Sequence, residues 1–393
     1  MISSGEMINI ERIKFKYNKG REAIREIKDL YDSVHAKTVP HDAMCCYRPS
    51  DASEMSLYEK VLQMHVVTLT ELTGRYRVTK YTRHVEDSLR RFPVGGVLLY
   101  DRSLKTAAQV LALTSGMQQF YREQTGIPLF VCVDEEGGVA TRVGRQGFPE
   151  APHPPGMGQL AALPDAEMQI RRCGDIVGNY LHKYGFNVDF APVADVVTNG
   201  KNTFLKNRSF GTDSEKVKEL VYIFSEQLLA HGVLPCYKHF PGIGGTNDNS
   251  HFSYATVNRT LEQFEEAEFV PFKDAAEKGI PFIMSGHVLV PAITGDGRPA
   301  SLSKTMLTDI LRNRLGFRGI IICDALVMDA IRNDYSSCRA GVEAIKAGCD
   351  MIMKPGNFRS SVNAVLKAVE SGEISEARLD ESVNRILLAK QRL

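Results

Sequence analysis

The stretch Gly232-Val-Leu-Pro-Cys-Tyr237 is followed directly by Lys238-His-Phe-Pro-Gly-Ile-Gly-Gly-Thr-Asn-Asp-Asn-Ser-His251. The first part is typical of a buried strand, and one lysine, two histidines and several glycines come where that strand ends. In a barrel of parallel strands, polar groups collect at the strand ends because loops there vary without disturbing the core. Proline and glycines let this segment fold back and bring His251 near His239. A plain glycine-rich connection with incidental histidines is the simpler alternative.

The chain around this stretch alternates between short apolar runs and amphipathic patterns. The predicted strands are Met64 to Leu69, Val97 to Tyr100, Leu129 to Val133, Val188 to Ala191, Leu234 to Tyr237, Phe282 to Met284, Ile320 to Cys323 and Met351 to Met353. Helical patterns lie between them, such as Ser214 to His231 and Leu261 to Glu277. Eight such alternations predict an α/β fold, a TIM-type (β/α)8 barrel.

An open doubly wound sheet is the alternative architecture. No Gly-x-Gly-x-x-Gly pattern follows the first predicted strand. Polar residues also recur at the ends of many strands, whereas a doubly wound sheet binds its ligand at one switch point. Both observations favour the closed barrel.

The first 57 residues differ from the rest of the chain. Arg21 to His35 has the apolar spacing of one amphipathic helix, and Thr38 to Ser53 has the composition of a linker. We therefore expect an N-terminal helical extension and linker over residues 1–57 and the barrel over residues 58–393. A part in the chemistry is not expected of the extension.

Composition excludes several classes of protein. Lysine and arginine (48) nearly balance aspartate and glutamate (47) among 393 residues, so no field favours nucleic acid or an anionic membrane as a partner. No apolar run approaches the roughly 20 residues that span a bilayer, and no signal pattern opens the chain. The eight cysteines contain no Cys-x-x-Cys pair, which favours reduced, packed thiols. We expect a cytoplasmic monomer.

Two carboxylates come directly after predicted strands. Asp134 opens the segment Asp134-Glu-Glu-Gly-Gly138 and can either accept hydrogen bonds from sugar hydroxyls or cap a helix. Asp324 follows the apolar run Gly319-Ile-Ile-Ile-Cys323, so it is half desolvated and can serve as a ligand, a nucleophile or a cap. Arg208, in a loop, is weak evidence by itself.

These groups suit the cleavage of an acetal. That reaction needs a negative group beneath the developing oxocarbenium carbon and a proton donor at the leaving oxygen. Asp324 can be the first and His251 the second. An unperturbed imidazole, with a pKa of about 6.5, transfers protons near neutral pH.

Several segments in order carry a family resemblance. They include Val94-Gly-Gly-Val-Leu-Leu-Tyr100, Asp134-Glu-Glu-Gly-Gly138, Asp189-Phe-Ala-Pro-Val-Ala-Asp195, Asn207-Arg-Ser-Phe210, Lys238-His-Phe-Pro-Gly242, Ser250-His251, Gly319-Ile-Ile-Ile-Cys-Asp324 and Ala347-Gly-Cys-Asp-Met351. With them the chain resembles the glycoside hydrolase family 3 β-N-acetylglucosaminidases of the NagZ type over roughly residues 57 to 393.

The resemblance implies a role for each matching residue. Asp324 would be the nucleophile, and His251 the acid/base on a mobile loop. The groups that would hold the N-acetylglucosamine ring are Asp134, Arg208, Lys238, His239 and, as a weaker candidate, Arg142. The implied substrate is β-linked N-acetylglucosamine on muropeptides, as in peptidoglycan recycling. No metal or organic cofactor is implied.

Two positions depart from the family pattern. The family has Asp two residues before the catalytic histidine, and this chain has Asn249. An Asn can orient the imidazole of His251 but brings no charge, although Asp248 is adjacent. Ile243 stands where the family usually has a polar residue. The alternatives are a low-activity or non-catalytic sugar-binding homologue, and a β-glucosidase-like or phosphorylase-like variant.

Overall fold

The computed structural model describes residues 49–246 and 254–393. The predicted helix from Arg21 to His35 and most of the predicted linker lie outside these ranges. So do Asp248, Asn249 and His251. Ala52 is fully buried, and its backbone N–H donates to Oδ1 of Asn384 at 2.8 Å.

The described residues contain ten strands. They are β1 (His65–Thr68), β2 (Gly96–Leu98), β3 (Phe130–Val133), β4 (Val188–Asp189), β5 (Leu234–Phe240), β6 (Ala255–Thr256), β7 (Phe282–Ser285), β8 (Val288–Leu289), β9 (Ile320–Cys323) and β10 (Ile352–Met353). β6 and β8 form a separate parallel sheet of two strands. The other eight form one parallel sheet.

The order of strands in that sheet is β10-β1-β2-β3-β4-β5-β7-β9. Its two ends also meet, because Ile322 bridges Met351 in parallel and the N–H of Cys323 donates to the carbonyl of Met351 at 3.2 Å. The predicted (β/α)8 barrel is confirmed. An open doubly wound sheet is wrong, since neighbouring strands follow chain order and the last returns to the first.

Helices surround the barrel. The α-helices are Leu57–Gln63, Leu69–Thr73, Arg83–Arg91, Ala107–Thr125, Met157–Ala161, Ala166–Lys183, Ser214–Ala230, Leu261–Glu266, Val270–Glu277, Pro291–Thr294, Asp329–Arg332, Ser337–Ala347, Phe358–Glu370 and Glu376–Lys390. A π-helix spans Thr305–Arg314. No helix in the two described ranges has both the length and the apolar character needed to cross a bilayer.

Two predicted elements differ in the structure. The predicted helix from Leu261 to Glu277 is broken between Glu266 and Val270. At the break, the buried carboxylate of Glu268 accepts a hydrogen bond from Thr198 at 2.7 Å, and an uninterrupted helix would compete with this contact.

Strand β5 is longer than predicted, so Lys238 and His239 lie in the strand and not in the loop after it. The ladder continues because Lys238 pairs with Met284 on β7 and its carbonyl accepts from the N–H of Ala194 at 2.7 Å. The register against β7 shifts between Lys238 and Phe240. Side chains alternate along a regular strand, and this irregularity relaxes that alternation.

At the end of the barrel where the strands begin, a buried carboxylate connects a strand with two helices. Asp350, just before β10, accepts from the backbone N–H of Ile321 at 2.9 Å and from Arg312 at 2.6 Å. It also accepts from Ser382 at 2.7 Å and Arg385 at 3.0 Å, both on the last helix. In barrels of this type that end serves stability, while the opposite end carries chemistry.

Candidate active site

A buried ion pair organises the end of the barrel where β3 and β5 terminate. Both oxygens of Glu136 accept from Arg208, at 2.7 Å from Nε and 2.9 Å from Nη2. The ammonium of Lys238 lies 2.6 Å from the Oε1 oxygen of Glu136. Burial alone would raise the pKa of Glu136, but Arg208 and Lys238 outweigh it and hold this pKa well below its usual range. The carboxylate is therefore ionised and fixes both cations.

Lys238 also reaches Asp134, with 3.1 Å between Nζ and Oδ1. Asp134 is half-buried at the end of β3, and within the described chain its other oxygen accepts no hydrogen bond. The Nη1 nitrogen of Arg208 is buried without a hydrogen-bond partner in the same part of the chain. One free acceptor and one free donor thus lie near the same ammonium group, as recognition of sugar hydroxyls requires.

The imidazole of His239 is oriented by a fully buried carboxylate. Asp195 Oδ2 lies 2.8 Å from Nδ1 of His239 and accepts the backbone N–H of His239 at 3.2 Å. The other oxygen of Asp195 accepts from the N–H of Ile243 at 2.8 Å. Because a carboxylate only accepts, Nδ1 carries a proton, and in the neutral form of the ring Nε2 is then an acceptor. Asp195 therefore fixes both the tautomer of His239 and the start of the loop that follows.

Asp324 lies directly after β9, where its N–H donates to the carbonyl of Ser285 at 2.9 Å. Its Oδ1 accepts from the N–H of Ala325 at 2.6 Å. Burial opposes ionisation of this carboxyl, while His287 and His239 favour it. The N–H of Ala325 and the ammonium of Lys238 act in the same direction, so the pKa of Asp324 lies below its ordinary value. The group is a carboxylate at neutral pH.

His287 holds the backbone beside this carboxylate. Its Nδ1 lies 2.7 Å from Oγ of Ser301, and its Nε2 lies 3.2 Å from the carbonyl oxygen of Ala325. Burial lowers the pKa of His287, so the imidazole is neutral at pH 7. Lys238, whose pKa is raised by Glu136 and Asp134 against the effect of burial, stays charged in the neutral range and favours the ionised form of Asp324 there.

Arg142 lies at the edge of this group. Its Nη1 is 3.6 Å from Asp101 Oδ2, and its guanidinium carbon is 5.7 Å from the ring centroid of Tyr100. The buried Glu135 sets the local backbone, since it accepts the N–H groups of Arg142, Val143 and Gly144 at 2.7 to 2.8 Å. Arg142 therefore belongs to the rim of the site.

The structure brings together five of the residues singled out in the sequence: Asp134, Arg208, Lys238, His239 and Asp324. Sequence reasoning missed Glu136 and Asp195. Both stand in segments that were already informative, and Glu136 is two residues after Asp134, the spacing at which extended chain presents side chains on one side. No group of three or more His, Cys, Asp and Glu side chains in residues 49–246 and 254–393 could hold a metal ion.

Comparison with known proteins matches residues 56–389 to the Glycosyl hydrolase family 3 N terminal domain. A protein named Beta-hexosaminidase from Nitrosomonas eutropha is 31% identical over 299 residues, which are 74% of this chain and 84% of the relative. Beta-hexosaminidase A from Pseudoalteromonas piscicida is 27% identical over 341 residues, which are 81% of this chain and 57% of that protein.

A solved structure agrees with these matches. The glycoside hydrolase family 3 β-N-acetylglucosaminidase from Paenibacillus sp. str. FPU-7 superimposes with a TM-score of 0.79 at 33% identity. The similarity covers 86% of this chain and 62% of that one. The chain thus spans less than two thirds of the length of some relatives. A family match over nearly the whole described barrel shows that this chain belongs to glycoside hydrolase family 3.

Proposed function

We propose that the chain is a retaining glycoside hydrolase that removes terminal β-linked N-acetylglucosamine. The observation that carries the proposal is the position of Asp324, a carboxylate directly after β9 at the C-terminal end of the barrel, where Lys238 favours its ionised form. The relatives named as β-hexosaminidases and the β-N-acetylglucosaminidase of similar fold support the choice of sugar.

In this mechanism Asp324 attacks the anomeric carbon while a proton donor protonates the departing oxygen. A covalent glycosyl-enzyme forms, and water then hydrolyses it with the donor acting as base. We assign proton donation to His251 and the orientation of its imidazole to Asn249, because of the positions of these residues in the sequence.

The remaining polar groups would bind the sugar ring. A hydroxyl group donates and accepts at once, so a ring needs both kinds of partner at fixed positions. The free oxygen of Asp134 and Nε2 of His239 would accept, while Lys238 and Nη1 of Arg208 would donate. Arg142, on the rim, would contact the part of the substrate that lies furthest from Glu136.

The substrates that we propose are of the cell-wall muropeptide type, and the proposed role is peptidoglycan recycling in the cytoplasm by a monomer. The six cysteines at described positions are free thiols, and five of them are buried. Unpaired, packed cysteines suit a reducing compartment.

The decisive experiment follows release of the aryl group from an aryl N-acetyl-β-glucosaminide. Wild type should release the aryl group and give a sugar product with the anomeric configuration of the substrate. Asp324→Ala and Asp324→Asn should lose this activity. Azide should restore turnover of Asp324→Ala and give an α-linked glycosyl azide, because a small anion then replaces the missing nucleophile. The exposed Asp309 provides a matched control, and Asp309→Asn should keep full activity. Unchanged activity in both Asp324 variants would refute the proposal.

A second candidate is a sugar-binding protein with little turnover. The observation that favours it is the amide at Asn249 in place of a carboxylate next to the proposed proton donor. Aryl glycosides that differ at the 2-position separate the remaining possibilities. Preference for the 2-acetamido sugar supports our proposal, whereas equal cleavage of the glucoside indicates β-glucosidase-like specificity, and dependence on added phosphate indicates phosphorolysis.

A further inference from the structure

A cavity opens beside the proposed reacting centre, at the ends of β1, β2 and β10. Its volume is about 160 Å³, and the polar residues of its lining include Thr68, Glu71, Tyr100, Arg102 and Lys354. Tyr100 connects it with the active site, because its ring lies near Arg142 and its hydroxyl is within the field of both Asp134 and Asp324. Val327, three residues after Asp324, also lines the cavity, so the cavity adjoins the proposed nucleophile.

Lys354 is held in the cavity by an uncommon backbone conformation. It follows β10 directly, and its N–H donates to the carbonyl of Val66 at 2.9 Å. Its φ is 46°, in the left-handed region that side chains other than glycine rarely adopt. Such strain persists only where the surroundings enforce it, and it is common at functional sites. The ammonium group lies 4.7 Å from the ring centroid of Tyr100.

The cavity is lined by two cations that form no ion pair with a described residue. Neither Lys354 nor Arg102 has a carboxylate oxygen of these residues within 4.0 Å. Glu71 is the one acidic side chain in the lining, and its oxygens already accept from Thr68 N, Thr68 Oγ1 and Gly356 N, each at 2.9 Å. Burial lowers the pKa of Lys354, although the more distant charges of Glu71, Asp134 and Asp324 oppose this effect. Both cations are therefore open to direct contact with an anionic group of a ligand.

Arg102 also lines the cavity, and it is exposed. Its guanidinium carbon lies 5.0 Å from the ring centroid of Tyr76, whose side chain is 67% exposed. An arginine that stacks on an aromatic ring keeps its N–H groups free for a ligand in the plane of the guanidinium. Lys354 supplies a point charge and Arg102 a planar set of donors, a combination that suits a carboxylate or a phosphate.

We propose that Lys354 and Arg102 form a subsite for an anionic group carried by the glycoside, and that Lys354 determines specificity for acidic substrates. This inference rests on the proposed function, because the cavity adjoins Asp324. It adds the substrate class: N-acetylglucosaminides with a carboxylate or phosphate close to the bond that is cleaved. A free anion such as inorganic phosphate has the same charge and would bind the same two cations. The experiment therefore distinguishes a free anion from an anionic group that is part of the glycoside.

The test compares two disaccharides of N-acetylglucosamine that differ at one group, a carboxylate on the reducing sugar and its methyl ester. Wild type should cleave the acid with a kcat/KM about tenfold higher than the ester, the ratio expected from one charge-assisted contact. In Lys354→Met the ratio should fall to about one, while cleavage of the ester stays within about twofold of wild type. Lys367→Met, at an exposed position on the helix Phe358–Glu370, should keep the wild-type ratio.

Two results would overturn the inference: equal cleavage of acid and ester by wild type, or a preference for the acid that survives in Lys354→Met. Equal cleavage together with inhibition by inorganic phosphate that Lys354→Met abolishes would assign the cavity to a free anion. Binding of both disaccharides to the Asp324→Asn protein, measured by titration calorimetry, separates the two proposals. A further outcome is that wild type leaves the neutral aryl glycoside intact while the acid still binds more tightly than the ester, and that Lys354→Met removes this difference in affinity. In that case the proposed function is refuted and the proposed subsite is supported.

Discussion

The ammonium group of Lys238 lies 2.6 Å from the carboxylate of Glu136, although Lys238 is on β5, Glu136 follows β3, and β4 lies between these two strands. The same carboxylate holds Arg208 through two hydrogen bonds. One acidic side chain thus fixes two cations that the sequence places 30 residues apart. Positioning of this kind decides whether the cations can bind a ligand without first reorganising.

Replacement of that carboxylate should destabilise the protein. Glu136→Gln leaves Arg208 and Lys238 buried without their shared counter-charge, and breaking a buried pair costs about 3–5 kcal/mol. The free energy of unfolding, measured with urea, should fall by that amount. The surface pair of Arg171 and Glu226 provides the control, and Glu226→Gln should change the free energy by less than about 1 kcal/mol. An equal effect of the two substitutions would contradict the assignment.

The stability should also depend on pH through Glu136. Its pKa in the folded protein is lowered, so its contribution is present above the unfolded value of about 4.3 and is lost as pH falls toward the folded value. The wild type should therefore lose stability on acidification below about pH 4.3, and Glu136→Gln should lose less over the same range. Parallel curves for the two proteins would show that other carboxylates account for the dependence.

Asp195 should act as a positioning residue for His239. Asp195→Asn can present its amide nitrogen to Nδ1, which favours the tautomer with the proton on Nε2. We expect kcat/KM to fall by about 10- to 100-fold, because a small misplacement of a binding group has effects of that size. The comparison with His239→Ala is informative, since the double variant should lose little more than His239→Ala alone. Additive losses would mean that Asp195 acts independently of the imidazole.

On the acid limb of the pH–rate profile, the fall in kcat/KM should reflect protonation of Asp324. Its lowered pKa keeps the nucleophile ionised at neutral pH, so kcat/KM should fall only below the ordinary value of about 3.9. Lys238→Met removes a charge that favours the carboxylate and should move this limb to higher pH. Lys273→Met, a lysine on the outer helix Val270–Glu277, should leave the limb in place. An unchanged limb in Lys238→Met would exclude Asp324 as the titrating group.

Substitution of Asn249 should reveal whether His251 donates the proton. A carboxylate beside an imidazole favours its charged form, so Asn249→Asp should raise kcat and move the alkaline limb to higher pH. Asn249→Ala should do neither. If Asn249→Asp binds N-acetylglucosamine but shows no more turnover than wild type, the sugar-binding alternative is favoured. This prediction rests on the sequence, because both residues lie outside the described ranges.

Much of the fold could be predicted because each barrel strand is a short apolar run with helical patterns on either side. The seventh predicted strand, Ile320 to Cys323, has the same bounds as β9. The helix break near Glu268 could not be predicted, since it depends on contacts with Thr198 and Arg259, which lie 70 and 9 residues away in the chain. Local periodicity contains no information about such partners.

Some residues of the candidate site could likewise be predicted from the sequence, and others could not. Residues next to strand ends, such as Asp134 and Asp324, can be found from the sequence because strand ends of a parallel barrel meet on one face. Glu136 and Asp195 act through other side chains, and only the three-dimensional arrangement shows which cation or imidazole each one holds. The cavity at Lys354 depends on three separate strand ends and has no linear signature.

The carboxylate of Asp350 connects the π-helix Thr305–Arg314 with the helix Glu376–Lys390, through Arg312 on one side and Arg385 on the other. Arg385 is made 35 residues after Asp350 during synthesis. The buried acid therefore lacks part of its set of counter-charges until the helix Glu376–Lys390 has been made. Arg385→Met should make the barrel more sensitive to proteases, although it leaves every residue of the proposed active site in place.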